Sequence, residues 1–221
     1  IEPARGVEPG HAANIIADLV MAHAPGEVAL AVTGPCTNLA LAMRLRPEIV
    51  PRLGEVVVMG GARREGGNIT ASAEYNIWAD PHAAQIVFSS GARCVAMGLD
   101  VTHQVRSDPA RTAAVAAVDT PAARACAALL AFSNAIERDI VGGAGAPLHD
   151  PCVIAYLLAP HLFTLRPCML RVETASPLTL GHTAVEFRLP DPGAATIRWA
   201  TGADADAIFL ARRAAGAMNL I

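Results

Sequence analysis

The chain has 221 residues, 53% of them apolar and 17% charged, with a formal net charge of -3 and a mean hydropathy of +0.38. A substantial core is expected, yet no apolar run approaches the roughly 18 to 20 residues that cross a bilayer, and the acidic balance supplies no basic surface for a nucleic-acid backbone or an anionic membrane. All 17 basic residues are Arg, which excludes a Schiff-base lysine and a P-loop lysine.

An amphipathic stretch from His11 to Ala24 opens the chain. Three β-rich apolar runs follow at Glu27 to Val32, Glu55 to Gly60 and Arg93 to Gly98. They are near-continuous rather than alternating, the pattern of strands buried on both faces. Helical stretches at Thr37 to Leu45 and Pro81 to Ser89 alternate with them, which predicts βαβ units and a mostly parallel open sheet flanked by helices. Asp80-Pro81, Asp108-Pro109 and Asp150-Pro151 each precede a helical pattern, as expected of Asp at the N-cap and Pro at the first helical position. Asp191-Pro192 lies instead in a Gly-containing loop. The Ala-rich stretch from Pro109 to Asp139 reads as two helices broken near Asp119-Thr120-Pro121. After a Gly-rich segment, a short helix from Cys152 to Leu158 leads to extended runs at Met169 to Thr174, Thr183 to Arg188 and Thr196 to Ala200, expected to add a few antiparallel strands. A last helix is predicted from about Asp204 to Met218.

The five cysteines, Cys36, Cys94, Cys126, Cys152 and Cys168, form no Cys-x-x-Cys pair. They read as small buried hydrophobes of a reducing compartment, hence a cytoplasmic protein, rather than as disulfides or a zinc site. The chain opens on Ile1 with no leader pattern, so its natural beginning is expected further upstream. No repeat or linker divides the sequence, and one α/β domain over residues 1–221 is expected.

Polar residues gather where the buried strands end: Thr33-Gly34-Pro35 after the first, Gly60-Gly61 and Asn68 through Asn76 after the second, and Asp100 through Gln104 after the third. In open α/β sheets the ligand crevice lies outside these strand ends. Two amides and a carboxylate at Asn68, Glu74 and Asn76 offer the donor and acceptor mixture that neighbouring sugar hydroxyls require, or they cap turns. Asp150 reads as a helix cap and His103 as a loop histidine bonded to backbone. Gly60-Gly61 lacks a phosphate-binding pattern and reads as a tight turn.

Thr33 through Ala40, Val57-Val58-Met59-Gly60-Gly61, Asn68 through Asn76 with Asp80-Pro81, Gly98 through Gln104 and His149-Asp150-Pro151 together resemble the inosine-uridine-preferring nucleoside hydrolase family. The resemblance runs in register from about Gly26 to the C-terminus. It implies calcium-dependent hydrolysis of the N-glycosidic bond of a small-molecule ribonucleoside, giving ribose and a free base. By the same resemblance, Thr33 corresponds to a position giving calcium a backbone carbonyl and Asp150 to one giving it a carboxylate, both hard oxygen donors. Asn68, Glu74 and Asn76 match the ribose-binding trio, Met59 lines the ribose pocket, and His149 faces the leaving base as proton donor. Relatives commonly form homo-oligomers.

Two departures accompany the match. The family's opening Asp-x-Asp-Pro-Gly-x-Asp-Asp motif, which supplies most of the calcium cage and the water-activating base, does not occur here. The expectation is therefore a domain whose N-terminal part is missing and a 221-residue chain that is inactive alone. The alternative is a truncated, non-catalytic ribose-binding or structural fragment. Between Phe132 and Leu148 the tyrosines that help the base depart in some relatives are also absent, which leaves base preference open.

Overall fold

The structure is a computed structural model that describes residues 6, 7, 9–143 and 145–209, the side chains of residues 140 and 141 excepted. Helix α1 (Ala12–Ala22) precedes β1 (Ala29–Val32), α2 (Thr37–Leu45), β2 (Glu55–Met59), α3 (Tyr75–Ala79), α4 (Pro81–Phe88), β3 (Cys94–Met97) and α5 (Leu99–Thr102). Then come β4 (Arg106–Ser107), α6 (Pro109–Ala116), α7 (Pro121–Val141), β5 (Ala146–Pro147), α8 (Asp150–Leu158), β6 (Phe163–Val172), β7 (Thr183–Glu186) and β8 (Ile197–Ala203). The six-stranded sheet has the order β1-β2-β3-β8-β6-β7. Strands β1, β2, β3 and β8 run parallel, and β6 is antiparallel to both β8 and β7, so the predicted mixed α/β architecture is present.

Alternate residues of the central strands enter two cores. Val56, Val58, Cys94 and Ala96 face α1, α2 and α4, while Val57, Met59, Val95 and Met97 face α5 and α8. Burying each such Val or Met contributes about 1.5–3 kcal/mol. The reading of three doubly buried strands holds for β2 and β3 and fails for β1, whose residues are exposed or half-buried. The physical reason is position: β1 is the sheet edge, paired on one side by β2.

The C-terminal runs also differ from expectation. β8 is antiparallel to β6 on one side and slots parallel beside β3 on the other, with Cys94 opposite Ile197 and Ala96 opposite Trp199. β6 starts six residues before the expected Met169. Its Pro167 is tolerated because β7 pairs only from Met169 onward, so at Pro167 the strand is bonded on the β8 side alone.

The helix boundaries follow the cap chemistry. Asp80 accepts from the Ala83 amide at 3.0 Å, Asp108 from Arg111 at 2.7 Å and Thr120 from Ala123 at 3.1 Å, the last separating α6 from α7 as predicted. Gly142 ends α7 in the left-handed conformation at φ 72°. Asp191 caps a short 3-10 turn. Residues 205–209 are helical, and the remainder of the predicted last helix lies outside the described residues. Four cysteines are buried and Cys126 is exposed. Among the described residues no helix is long and apolar enough to cross a membrane.

Trp199, 1% exposed, closes the sheet against the ends of β2 and β3. This requires Gly98: a Cβ there would lie 2.4 Å from the indole and 2.8 Å from the Gly61 carbonyl. Gly98→Ala should therefore lower the unfolding free energy by about 1–3 kcal/mol in urea titration, the usual cost of overpacking. Gly34→Ala, with nothing within 4 Å of its Cβ position, should leave stability unchanged or slightly raised.

Candidate active site

β2 ends at Met59 and runs into Gly60-Gly61, where Gly61 adopts φ 88° and turns the chain over the sheet edge. The loop that follows returns to α3 at Glu74. The Glu74 carboxylate, in a residue 2% exposed, accepts from the amides of Gly61 at 3.1 Å, Asn76 at 3.0 Å and Ile77 at 3.3 Å. One side chain thus ties the end of β2 to the start of α3. Burial raises its pKa, and the nearby Asp150 carboxylate adds to the rise against the opposing effect of the three amides.

The rest of the loop is pinned from far along the chain. Asp100, in α5, accepts from the amides of Arg63 at 2.7 Å and Arg64 at 2.8 Å. The buried Thr183 hydroxyl donates to the Ala62 carbonyl at 2.8 Å and accepts from the Ala62 amide at 2.9 Å. Asn68 Oδ1 accepts from the Tyr75 amide at 2.8 Å, and Asn76 Nδ2 donates to the Met59 carbonyl at 3.1 Å. Asn68, Glu74 and Asn76 therefore converge at the end of β2, and each performs the turn-capping that the sequence offered as one of two readings. After those bonds, Asn68 Nδ2 and Asn76 Oδ1 have no hydrogen-bond partner among the described residues, one donor and one acceptor left over. Met59 is buried, its sulfur 3.2 Å from Asn76 Nδ2.

Thr33, exposed, follows β1 at its carboxyl end, one register step beyond the Val32–Val58 pair and so beside Met59. Asp150 stands at the start of α8, which packs on β2 and β1. Here the cap expectation fails. The helix begins at Asp150 itself, the residue before it makes no side-chain cap bond, and the Asp150 carboxylate has no hydrogen bond or ion pair among the described residues. Partial burial, unrelieved by any partner, raises its pKa. The other three Asp-Pro carboxylates are occupied: Asp108 caps α6, Asp191 caps its 3-10 turn, and Asp80 both caps α4 and accepts from the Thr37 hydroxyl at 2.6 Å.

His149 Nδ1 lies 2.9 Å from the Thr102 hydroxyl, and its ring is 5.8 Å from that of His103. Burial first, and His103 second, lower the His149 pKa to about 4, so the imidazole is neutral near pH 7. His103 is not bonded to backbone through this nitrogen as expected; its Nδ1 meets the Glu65 carboxylate at 2.8 Å. Thr102 lies within the Gly98-to-Gln104 motif with no role assigned to it there, whereas Thr183 lies in none of the motifs, and its partner Ala62 is 121 residues away in sequence.

The unpartnered Asp150 carboxylate is a hard, anionic donor that fits a divalent cation, and a backbone carbonyl at Thr33 is of the same class. Among the described residues no group of three or more His, Cys, Asp or Glu could hold a metal ion. The two donors fit as contributors to a calcium site and do not complete one, since calcium takes six to eight oxygens.

Comparison with known proteins identifies the family and the fold. A family profile described as inosine-uridine preferring nucleoside hydrolase matches residues 1–209. The inosine-uridine preferring nucleoside hydrolase of Crithidia fasciculata is 42% identical over 186 residues, covering 84% of this chain and 59% of that protein. The pyrimidine-specific ribonucleoside hydrolase RihA of Shewanella baltica is 46% identical over 160 residues, 72% of this chain and 50% of that protein. The solved structure of the purine-preferring ribonucleoside hydrolase from Gardnerella vaginalis superposes with a TM-score of 0.87 at 32% identity, over 98% of this chain and 69% of that one. The chain thus spans half to three fifths of the length of these curated relatives. From the profile match over nearly its whole length and from the shared fold, the chain belongs to the inosine-uridine preferring nucleoside hydrolase family.

Proposed function

We propose that this chain forms a large part of an enzyme that hydrolyses the N-glycosidic bond of a ribonucleoside to ribose and free base, with calcium as its resident ion. One observation carries the reading. Of three Asp-Pro helix starts, two spend their carboxylates on caps, while Asp150 keeps its carboxylate unpartnered, close enough to Glu74 for the two charges to interact. The relatives' names, inosine-uridine, pyrimidine and purine hydrolases, support the reaction class and leave the base open.

Thr33 and Asp150 would contribute to holding the ion, which when bound supplies positive charge to ribose hydroxyls and to the attacking water. Glu74, saturated by three amides, sets the positions of Asn68 and Asn76 and leaves their free donor and acceptor for ribose hydroxyls. Binding energy at those hydroxyls then acts on the anomeric carbon as positive charge builds there, as in glycoside hydrolysis generally. In the tautomer that accepts from the Thr102 hydroxyl at Nδ1, neutral His149 carries its proton on Nε2, a hydrogen-bond donor for the departing base.

Among the described residues only Thr33 and Asp150 are proposed as calcium donors, short of the six to eight oxygens the ion takes, so the 221-residue chain should release no ribose from inosine or uridine in a reducing-sugar assay. Ribose release that a calcium chelator abolishes would show that no further segment is required. In the same chain extended by the aspartate-bearing opening segment of a relative, Asp150→Asn should abolish turnover and calcium binding while changing stability by no more than about 1 kcal/mol. Asp108→Asn, a true cap, should alter neither activity nor calcium affinity. Wild-type turnover in the Asp150 variant would refute its role as ligand.

Glu74→Gln tests the architecture of the ribose side. A buried amide has one acceptor oxygen where the carboxylate has two, so an amide hydrogen of Gly61, Asn76 or Ile77 loses its partner. The expected cost is about 1–3 kcal/mol in urea denaturation. A Glu74→Gln variant as stable as wild type would mean that the three amide bonds do not hold the loop.

A further inference from the structure

A cleft of about 360 Å³ opens beyond the ends of β3 and β8, lined by Arg63, Arg64, Asp100, Arg166 and Phe187 among others. None of the proposed nucleoside-binding residues lines it. An adjoining cleft shares Arg63 and Arg64 and adds Arg171 and Glu186. In a chain whose net charge is -3, four guanidiniums here face three carboxylates, none of which is in an ion pair with any of the four among the described residues. Glu65 meets His103 at 2.8 Å, Asp100 accepts the backbone amides of Arg63 and Arg64, and Glu186 pairs with Arg188. Arg63, Arg64, Arg166 and Arg171 form no ion pair among the described residues.

Two of these arginines are held in place by one ring. The guanidinium carbons of Arg63 and Arg166 lie 4.6 Å and 4.1 Å from the Phe187 centroid. Stacking of this kind uses the face of a guanidinium and leaves its in-plane N–H groups free to donate. Two forks thus start from one anchor, with Arg64 on the same wall. Guanidiniums gathered in excess of the carboxylates repel one another, and an oxyanion with several oxygens relieves that repulsion while accepting from more than one fork. A carboxylate, with two oxygens, satisfies one fork; a phosphate dianion offers three oxygens. The cleft also has room beyond a bare phosphate for a small organic part.

We propose that this arginine cleft is a binding site for the phosphate group of a small phosphomonoester, separate from the nucleoside crevice. The site rests on Arg63, Arg166 and Phe187, not on the hydrolase reading, and it needs neither calcium nor nucleoside.

Calorimetric titration of glycerol 3-phosphate and of inorganic phosphate into the 221-residue chain, at ionic strength held constant with chloride and without added calcium, tests the site. Saturable one-to-one binding of both, tighter for the monoester, is expected. Arg63→Gln and Arg166→Gln should each weaken it about tenfold, and Arg166→Lys, which keeps the charge but loses the fork, should fall in between. Arg124→Gln, an exposed α7 arginine paired only with Asp119, should bind as wild type. Near-ultraviolet circular dichroism confirms that each variant is folded. The proposal is overturned if neither phosphate saturates, if the monoester binds no tighter than the free ion, or if Arg124→Gln weakens binding as much as Arg166→Gln. Self-association that Arg166→Gln abolishes, with no phosphate bound, would overturn it in favour of a contact between copies of the chain.

Discussion

A buried carboxylate cannot stay charged in an apolar setting unless donors surround it, and in this protein Glu74 meets that constraint with three backbone amides. Everything at the carboxyl end of β2 depends on it. The donors come from both sides of the excursion between residues 61 and 74, so the carboxylate fixes where the loop leaves the sheet and where α3 begins. Asn68 and Asn76 are positioned as a consequence, each with one polar atom bonded to backbone and one left over. A capping role and a sugar-binding role are thus not alternatives for this trio. The first creates the geometry that the second would use.

The same logic separates the aspartates. Asp80, Asp108 and Asp150 stand in identical Asp-Pro contexts, and local chemistry predicts three caps. Two are caps. For Asp150 the helix starts one residue earlier, at the aspartate itself, which removes the cap geometry and leaves the carboxylate near Glu74 with no donor. An unpartnered carboxylate beside a second buried carboxylate is electrostatically costly by itself. A cation would offset that cost, and among the described residues no group of three or more His, Cys, Asp or Glu could hold one.

Across the sheet, Trp199 performs the corresponding task for the opposite wall. Inserted between β3 and β6 by the parallel placement of β8, it packs where Gly61 and Gly98 offer no Cβ. The loop therefore has a carboxylate on one side and an indole on the other. Arg63 and Arg64 project from that braced loop toward β6 and β7, which is why positive charge gathers there in an acidic chain.

Much was legible in the residues alone. The β-rich runs at Val56 to Met59 and Cys94 to Met97, the caps at Asp80 and Asp108, and the break before Pro121 follow from local chemistry, because periodicity and capping act within a few residues. So did the list of polar groups at the strand ends. Tertiary structure alone decided which of two roles each group plays. Thr183 secures Ala62 across 121 residues, the β1 run is exposed because it falls at the sheet edge, and β8 enters between β3 and β6 rather than at the end. His149 is neutral because it is buried, and Asp150 is unpartnered because its helix starts one residue early. Burial, pairing partner and strand order are properties of what lies opposite a residue, and no local pattern encodes that.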